Sequence, residues 1–209
     1  MEDQKEIWNS IAQPWKTFRI NPIEEVVEFL GDKKGNVLDL ACGSGKNFTK
    51  IKGTIYGVDF SENMLKYARE FAEKNKINAQ LIHAEADLLP FNDDFFDSVI
   101  FIAALHCIPE KKKRIEALRE LSRVLKPNAE AMITVWDYNQ EKFKDSEKES
   151  LISWKYNKKE YMRYYYLYEK DEFVNLLEKV GFKIVKVMDK DNPTGLYSKR
   201  NIIAIVKKP

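Results

Sequence analysis

The ten residues 36–45, NVLDLACGSG, constrain this chain more than any others. A short continuous apolar run closed by two glycines reads as a strand over 36–41 that ends in a tight turn. A strand apolar on both faces belongs inside a parallel sheet. The pattern then repeats. Residues 54–59 read as a second strand, and 61–76 as a helix with Ser61 as its N-cap. Residues 80–84 read as a short third strand, and 96–103 as the fourth and most apolar. A helix is expected over 110–125, ended by Pro127, followed by a fifth strand over 129–135. A helix over 170–180 closes on Gly181. Residues 182–188 and 201–207 are expected as an antiparallel pair at the sheet edge. This alternation is that of a doubly wound α/β domain.

The remaining composition fits that frame. A length of 209 residues suits one domain with a full core. A net charge of +2 does not mark a nucleic-acid binder by bulk charge. Basic residues do gather at 111–114 and across 183–208, as solvated faces or as phosphate-binding ones. No run approaches the ~20 apolar residues of a membrane span, and the N-terminus is acidic where a signal peptide is basic. A cytoplasmic protein without membrane association is expected. Cys42 and Cys107 match no metal or redox spacing and are expected to pack as small apolar side chains; no metal site is expected.

Two regions escape the alternation: residues 1–22, with Trp8 and Trp15 at helical spacing, and residues 137–169, rich in Tyr, Trp and Lys. Long connections in α/β folds cover active sites, so the N-terminal segment and the 137–169 insertion are expected to form one substrate-binding lid.

The turn Asp39-Leu40-Ala41-Cys42-Gly43-Ser44-Gly45 lies where such sheets bind ligands. Phe48 occupies the place of the third glycine of a dinucleotide fingerprint. Leu40 and Asn47 break the spacing of a phosphate-binding P-loop. A nucleoside lacking phosphates is the better ligand. Asp59 ends the second strand, where a carboxylate can accept from both ribose hydroxyls. Asp87 follows the third strand, where it can accept from an adenine amine while Ala86 and Leu88 sandwich the ring. Asp39 lies under the glycine turn, in reach of an amino-acid ammonium.

Acids at the ends of three successive strands, the two-glycine turn and the stretch Leu89-Pro90-Phe91 to Phe96-Asp97 together resemble the Rossmann-like S-adenosylmethionine-dependent methyltransferases. The resemblance implies a seven-stranded, mostly parallel sheet with helices on both faces and the last strand antiparallel. It implies S-adenosylmethionine as cofactor, held by Asp39, Ala41, Gly43, Gly45, Asp59, Phe60, Ala86, Asp87, Leu88 and Ile102.

A narrower resemblance is scattered over nearly the whole chain: Arg19-Ile20-Asn21-Pro22 with Val26, Phe29 and Leu30; Ile102-Ala103-Ala104-Leu105-His106; Val135-Trp136 and Gln140; Ser153-Trp154; Arg163-Tyr164-Tyr165-Tyr166-Leu167-Tyr168; and Asp189-Lys190-Asp191-Asn192. These resemble the tRNA wobble-uridine methyltransferases of eukaryotes and archaea, which methylate the carboxylate of 5-carboxymethyluridine. Cys107, Tyr166, the segment Pro127-Asn128-Ala129 and Ile23-Glu24 depart from that pattern. The resemblance implies catalytic roles for Arg19, His106 and Arg163, the arginines clamping a carboxylate or phosphate. It implies that Trp136, Trp154, Tyr164, Tyr165 and Asn192 bind an unpaired base of the tRNA anticodon loop. It also implies a small zinc-binding activator protein added at the edge strand 80–84. A small-molecule methyltransferase of the quinone or sterol type shares the cofactor motifs, but the Tyr, Arg and Lys content of 137–169 suits an apolar pocket poorly. Intact glycines and strand-end acids argue against a non-catalytic subunit.

Overall fold

The computed structural model describes residues 2–18 and 21–209. Along the chain the elements are α1 (Gln4–Ser10), α2 (Ala12–Phe18), α3 (Glu24–Leu30), β1 (Lys34–Leu40), β2 (Lys52–Asp59), α4 (Glu62–Asn75), β3 (Ala79–His83) and β4 (Phe96–Ile102). They continue as α5 (Lys111–Val124), β5 (Leu125–Trp136), β6 (Glu149–Tyr156), β7 (Lys159–Tyr166), α6 (Lys170–Val180), β8 (Lys183–Met188) and β9 (Asn201–Lys207). Seven strands form one sheet in the order β3-β2-β1-β4-β5-β9-β8. Strands β1 to β5 run parallel, and β9 is antiparallel to both β5 and β8. The expected Rossmann-like sheet, with its antiparallel last strand, is the fold observed.

Period-two alternation sorts the strand side chains into two cores. Leu38 and Leu40 of β1, Val99 and Phe101 of β4, and Ala131, Ile133 and Val135 of β5 face α5 and α6. Val37, Ile100 and Met132, one residue out of phase, face α3, and Ile55 of β2 faces α4 on that same side. Ser61 caps α4 as expected, accepting from Met64 N at 3.2 Å.

The Leu89 to Asp97 stretch owes its composition to packing. The rings of Phe91, Phe95 and Phe96 meet one another and Tyr56 at centroid distances of 4.8 to 6.0 Å. Arg123 of α5 pins the loop by donating to the carbonyls of Leu89 and Phe91 and to Asp93. Asp97 accepts from Asn36 N at 2.8 Å and Lys126 Nζ at 2.6 Å, tying β1, β4 and β5 together.

One local reading differs, and two connections take a form the sequence reading left open. Helix α5 ends at Val124, and Leu125 is already extended (φ −77°, ψ 134°), so Pro127 lies inside β5 and does not end the helix. No helix fills the link from β1 to β2, which is a series of turns. Residues 137–169 hold an antiparallel hairpin, β6 and β7. Its two-residue turn is Asn157-Lys158, both at positive φ (48° and 62°), the geometry that matches strand twist. Among the described residues no helix is long and apolar enough to cross a membrane.

Phe96 is fully buried at the centre of the four-ring cluster. Phe96→Ala should cost about 3–5 kcal/mol, read as a lower urea midpoint with an unchanged slope.

Candidate active site

Strand order reverses between β1 and β4, so the chain leaves their carboxyl ends in opposite directions and a crevice opens there. The first residue past each strand end it joins is strained: Ala41 and Ala103 hold φ of 55° and 53°, at a cost of order 1–3 kcal/mol each. Both line a cavity of about 880 Å³. Small-molecule sites run from roughly 300 to 1,000 Å³, so this one has room for two ligands side by side.

One half of the cavity carries the glycine turn and the strand-end acids. Gly43, at φ +54°, faces open space: no heavy atom lies closer than 4.0 Å to the place a Cβ would take. Its N–H donates to Asp59 Oδ2 at 2.8 Å, and Ser61 N donates to Oδ1 at 2.9 Å. Burial outweighs these bonds and raises the Asp59 carboxyl to about 6. Phe60, Ala86, Asp87 and Ile102 line the same half, as the sequence leads one to expect. Lys46, the cation nearest the turn, gives its ammonium to the Trp15 carbonyl at 2.5 Å. The donor set therefore fits a nucleoside: a carboxylate on the ribose side, a glycine that leaves space, and an acid near the base whose neighbouring lysine is paired with it.

Three expected cofactor contacts lie elsewhere. Gly45 is away from the cavity; a Cβ there would sit 2.9 Å from the Phe48 ring and 3.1 Å from Ala68 Cα, so its glycine serves close packing of the turn on α4. Asp39 is buried beneath the turn and does not line the cavity. Leu88 points to solvent at 75% exposure, so it cannot sandwich a ring in this conformation.

The other half is aromatic. Trp136 and Tyr165 stack at 4.3 Å with an interplanar angle of 4°, and both line the cavity. Trp8 and Trp15 close it from above, 5.1 Å apart and edge to face. The N-terminal segment is pinned there: Asn9 Oδ1 accepts from Ser61 Oγ (2.9 Å) and Asn63 N (3.1 Å), and Gln4 Oε1 accepts from Tyr164 N (2.8 Å).

The expected substrate and catalytic residues divide. Tyr164 is one residue out of phase with Tyr165, so it faces α5, where its hydroxyl accepts from Arg114 at 3.3 Å. Trp154 does not line the cavity; it lies 5.4 Å from Trp15 and 5.3 Å from Phe18. Arg163 is 5% exposed, with Trp8, Trp15, Trp154 and Tyr165 all within 5.0 to 5.6 Å of its guanidinium. It donates to the Tyr165 hydroxyl at 2.6 Å, and its Nε has no partner. It therefore stands behind the cavity wall instead of clamping from inside.

His106 is likewise fully buried and off the cavity surface, 5.3 Å from Trp136 and 5.5 Å from Tyr165. Trp136 N donates to its Nδ1 at 3.4 Å, and Nε2 has no partner. Burial, helped by Lys142, lowers it to about 3, so it is neutral. Asn192 is exposed on a loop whose turn is closed by Asp189 Oδ1 accepting from Asp191 N and Asn192 N. Arg19 lies outside the described residues.

The cavity is completed by residues the sequence does not single out as its lining: Lys142, Tyr197, Arg200 and Asn201. Asn201 opens β9 in register with Trp136, and its buried Oδ1 has no partner. A polar residue starting an otherwise apolar strand opposite a strand end is the signal that points to it. Cys42 and Cys107 are packed thiols, as expected; burial raises Cys107 to about 12.

An open α/β sheet with one antiparallel strand and a phosphate-free nucleoside site defines a Rossmann-like methyltransferase. A family model for the methyltransferase domain matches residues 31–181; the chain belongs to that family, and its cofactor is S-adenosylmethionine. It is 33% identical over 140 residues to the Mus musculus tRNA (carboxymethyluridine(34)-5-O)-methyltransferase ALKBH8, spanning 65% of this chain and 20% of that protein. It is 37% identical over 142 residues to the 2-phytyl-1,4-naphtoquinone methyltransferase of Nostoc punctiforme, spanning 63% of this chain and 57% of that one. The fold also matches a chain in a complex between the Haloferax volcanii Trm112 methyltransferase activator and a methyltransferase, with a TM-score of 0.69, 17% identity, and coverage of 99% of this chain and 96% of that one.

A depressed histidine is charged in the unfolded chain and neutral in the folded one between about pH 6.5 and pH 3. Its contribution to stability is therefore complete above pH 6.5 and lost as pH falls. Urea titrations should show the wild type losing more stability than His106→Phe between pH 7 and pH 4.

Proposed function

We propose that this chain acts in the cytoplasm and methylates the carboxylate of 5-carboxymethyluridine at the tRNA wobble position. The observation that carries this reading is the flat Trp136–Tyr165 stack facing a cavity whose opposite half suits the cofactor. A planar base can lie on such a stack, a contact worth about 1–3 kcal/mol. The printed activity of the mouse relative supports the same acceptor.

The chemistry asks little of the protein. When bound, the cofactor supplies a methyl group on a sulfonium. A carboxylate, with an ordinary pKa of about 4, is already ionised at neutral pH and would accept that methyl group without giving up a proton. No general base is required, which agrees with a buried, neutral His106. The chain's task is to align the acceptor and exclude water. Asp59 and Asp87 would hold the ribose and adenine, and Gly43 would admit the amino-acid tail. Asp39 acts from beneath the turn. Trp8, Trp15 and the hairpin β6–β7 form the lid. Arg163 acts through Tyr165, whose hydroxyl it fixes, so it is a positioning residue. Trp154 supports Trp15 in the lid.

A quinone acceptor, suggested by the cyanobacterial relative, calls for an apolar far end. Lys142, Arg200 and Asn201 at that end disfavour it. Among the described residues the edge strand β3 pairs only with β2, leaving one side of its backbone to receive a partner's strand. We assign this edge to a small zinc-binding activator, in line with the archaeal complex of like fold.

Labelled cofactor should methylate tRNA carrying 5-carboxymethyluridine. Label appearing only in small-molecule extract would retire the tRNA acceptor. Arg163→Ala should lower kcat about 10²-fold, as for a misplaced reacting group, with cofactor affinity unchanged and partial rescue by Arg163→Lys. Co-expression with the activator should raise soluble yield and activity, and a proline at Leu81 should abolish that gain without unfolding the chain.

A further inference from the structure

The cations that line the cavity fall into two groups. In the cofactor half, beside Asp59, Glu85 and Asp87, they are engaged: Lys5 with Glu85 at 3.2 Å and Lys113 with Asp87 at 3.8 Å; Glu2, Asp3 and Glu110 also line the cavity. The far half holds Lys142 and Arg200 at its rim and Arg163 behind its wall. Among the described residues, none of these three has a carboxylate within 4 Å. Lys142 instead lies over the rings of Trp136 and Phe143, at 4.2 and 4.4 Å, where this cavity adjoins a second of about 440 Å³ that shares Trp136 and Lys142 with it.

Like charges gathered without a counterion are unfavourable. Burial, then Arg200 and Arg163, holds the Lys142 ammonium below its ordinary value. Asn201 lines the same end, and its buried Oδ1, an acceptor, has no partner, so it suits a donor group of the same ligand. Cations with no carboxylate beside them at one end of a cavity mark where an anionic group belongs.

We propose that Lys142 and Arg200 form the anion subsite of the acceptor, taking a carboxylate or phosphate at the far end of the cavity. This rests on the acceptor half identified above and names the side chains that meet the acceptor's charge. An arginine presents two parallel donors to such a group, and a lysine a single point charge. Arg163, walled off by four rings, contributes its field and the placement of Tyr165.

The test uses the full chain saturated with S-adenosylhomocysteine. Calorimetry compares 5-carboxymethyluridine with its neutral methyl ester, and separately acetate with inorganic phosphate. The acid should bind at least tenfold more tightly than the ester. Lys142→Ala/Arg200→Ala should erase that preference while leaving ester and cofactor-product binding unchanged, and Lys142→Arg should retain it. Acetate or phosphate binding that depends on both residues, with neither nucleoside bound, would uphold the anion subsite, name its chemistry and retire the uridine acceptor. An acid preference that survives the double substitution, or no binding of any anion, would overturn the proposal.

Discussion

The site depends on one buried carboxylate. Asp59 ends β2, and its two oxygens accept the N–H groups of Gly43 and Ser61. One bond draws the turn after β1 against the end of β2; the other starts α4 from the same point. Burial opposes this arrangement, as the raised Asp59 carboxyl shows, and the two charge-assisted bonds offset part of that cost. Phe48 under the turn and Ala68 on α4 leave no room for a side chain at Gly45. The turn is therefore set by contacts from beneath, and its upper face at Gly43 stays open to a ligand.

Much of this was legible from the sequence because it follows from local rules. A run of alternating strand residues must place Leu38 and Val37 on opposite faces. Ser61 before an amphipathic stretch must cap it. The errors arise where a residue's role depends on a partner distant in sequence. Gly45 and Gly43 look alike in the string GSG, but only the structure shows that one meets Phe48 and the other open space. Tyr164 and Tyr165 look equally able to stack, yet the hairpin's register sends one to α5 and the other to the cavity. The hairpin itself was masked because its strands mix charged and aromatic residues, and its turn uses Asn157-Lys158 without a glycine.

The two asparagines make the same point about motifs. Asn192 follows the aspartates of the late acidic cluster, where Asp189 closes a turn by accepting from Asp191 N and Asn192 N and pairs with Lys170 at 2.7 Å. Nine positions on, Asn201 stands beside Trp136 because β9 runs antiparallel to β5. An intervening loop of variable length can carry a motif away from a site while the strand that follows it is still delivered there by sheet pairing. Register fixes position more firmly than distance along the chain does.

Division of labour within the cavity follows from the same architecture. The parallel strands β1 to β4 end in turns that carry acids and small residues, suited to a cofactor held by hydrogen bonds. The ends of β5 and β7 bring Trp136 and Tyr165 to the opposite wall, and the connections after β5 and before β9 bring Lys142 and Arg200, suited to a flat, charged acceptor. The cofactor half is built from tight turns whose backbone geometry tolerates little change. The acceptor half is built from a hairpin and a long loop, whose side chains can vary without disturbing the sheet. Relatives named for tRNA and quinone acceptors resemble this chain to similar degrees, 33% over 140 residues and 37% over 142, and the acceptor must be argued from the residues beyond β5.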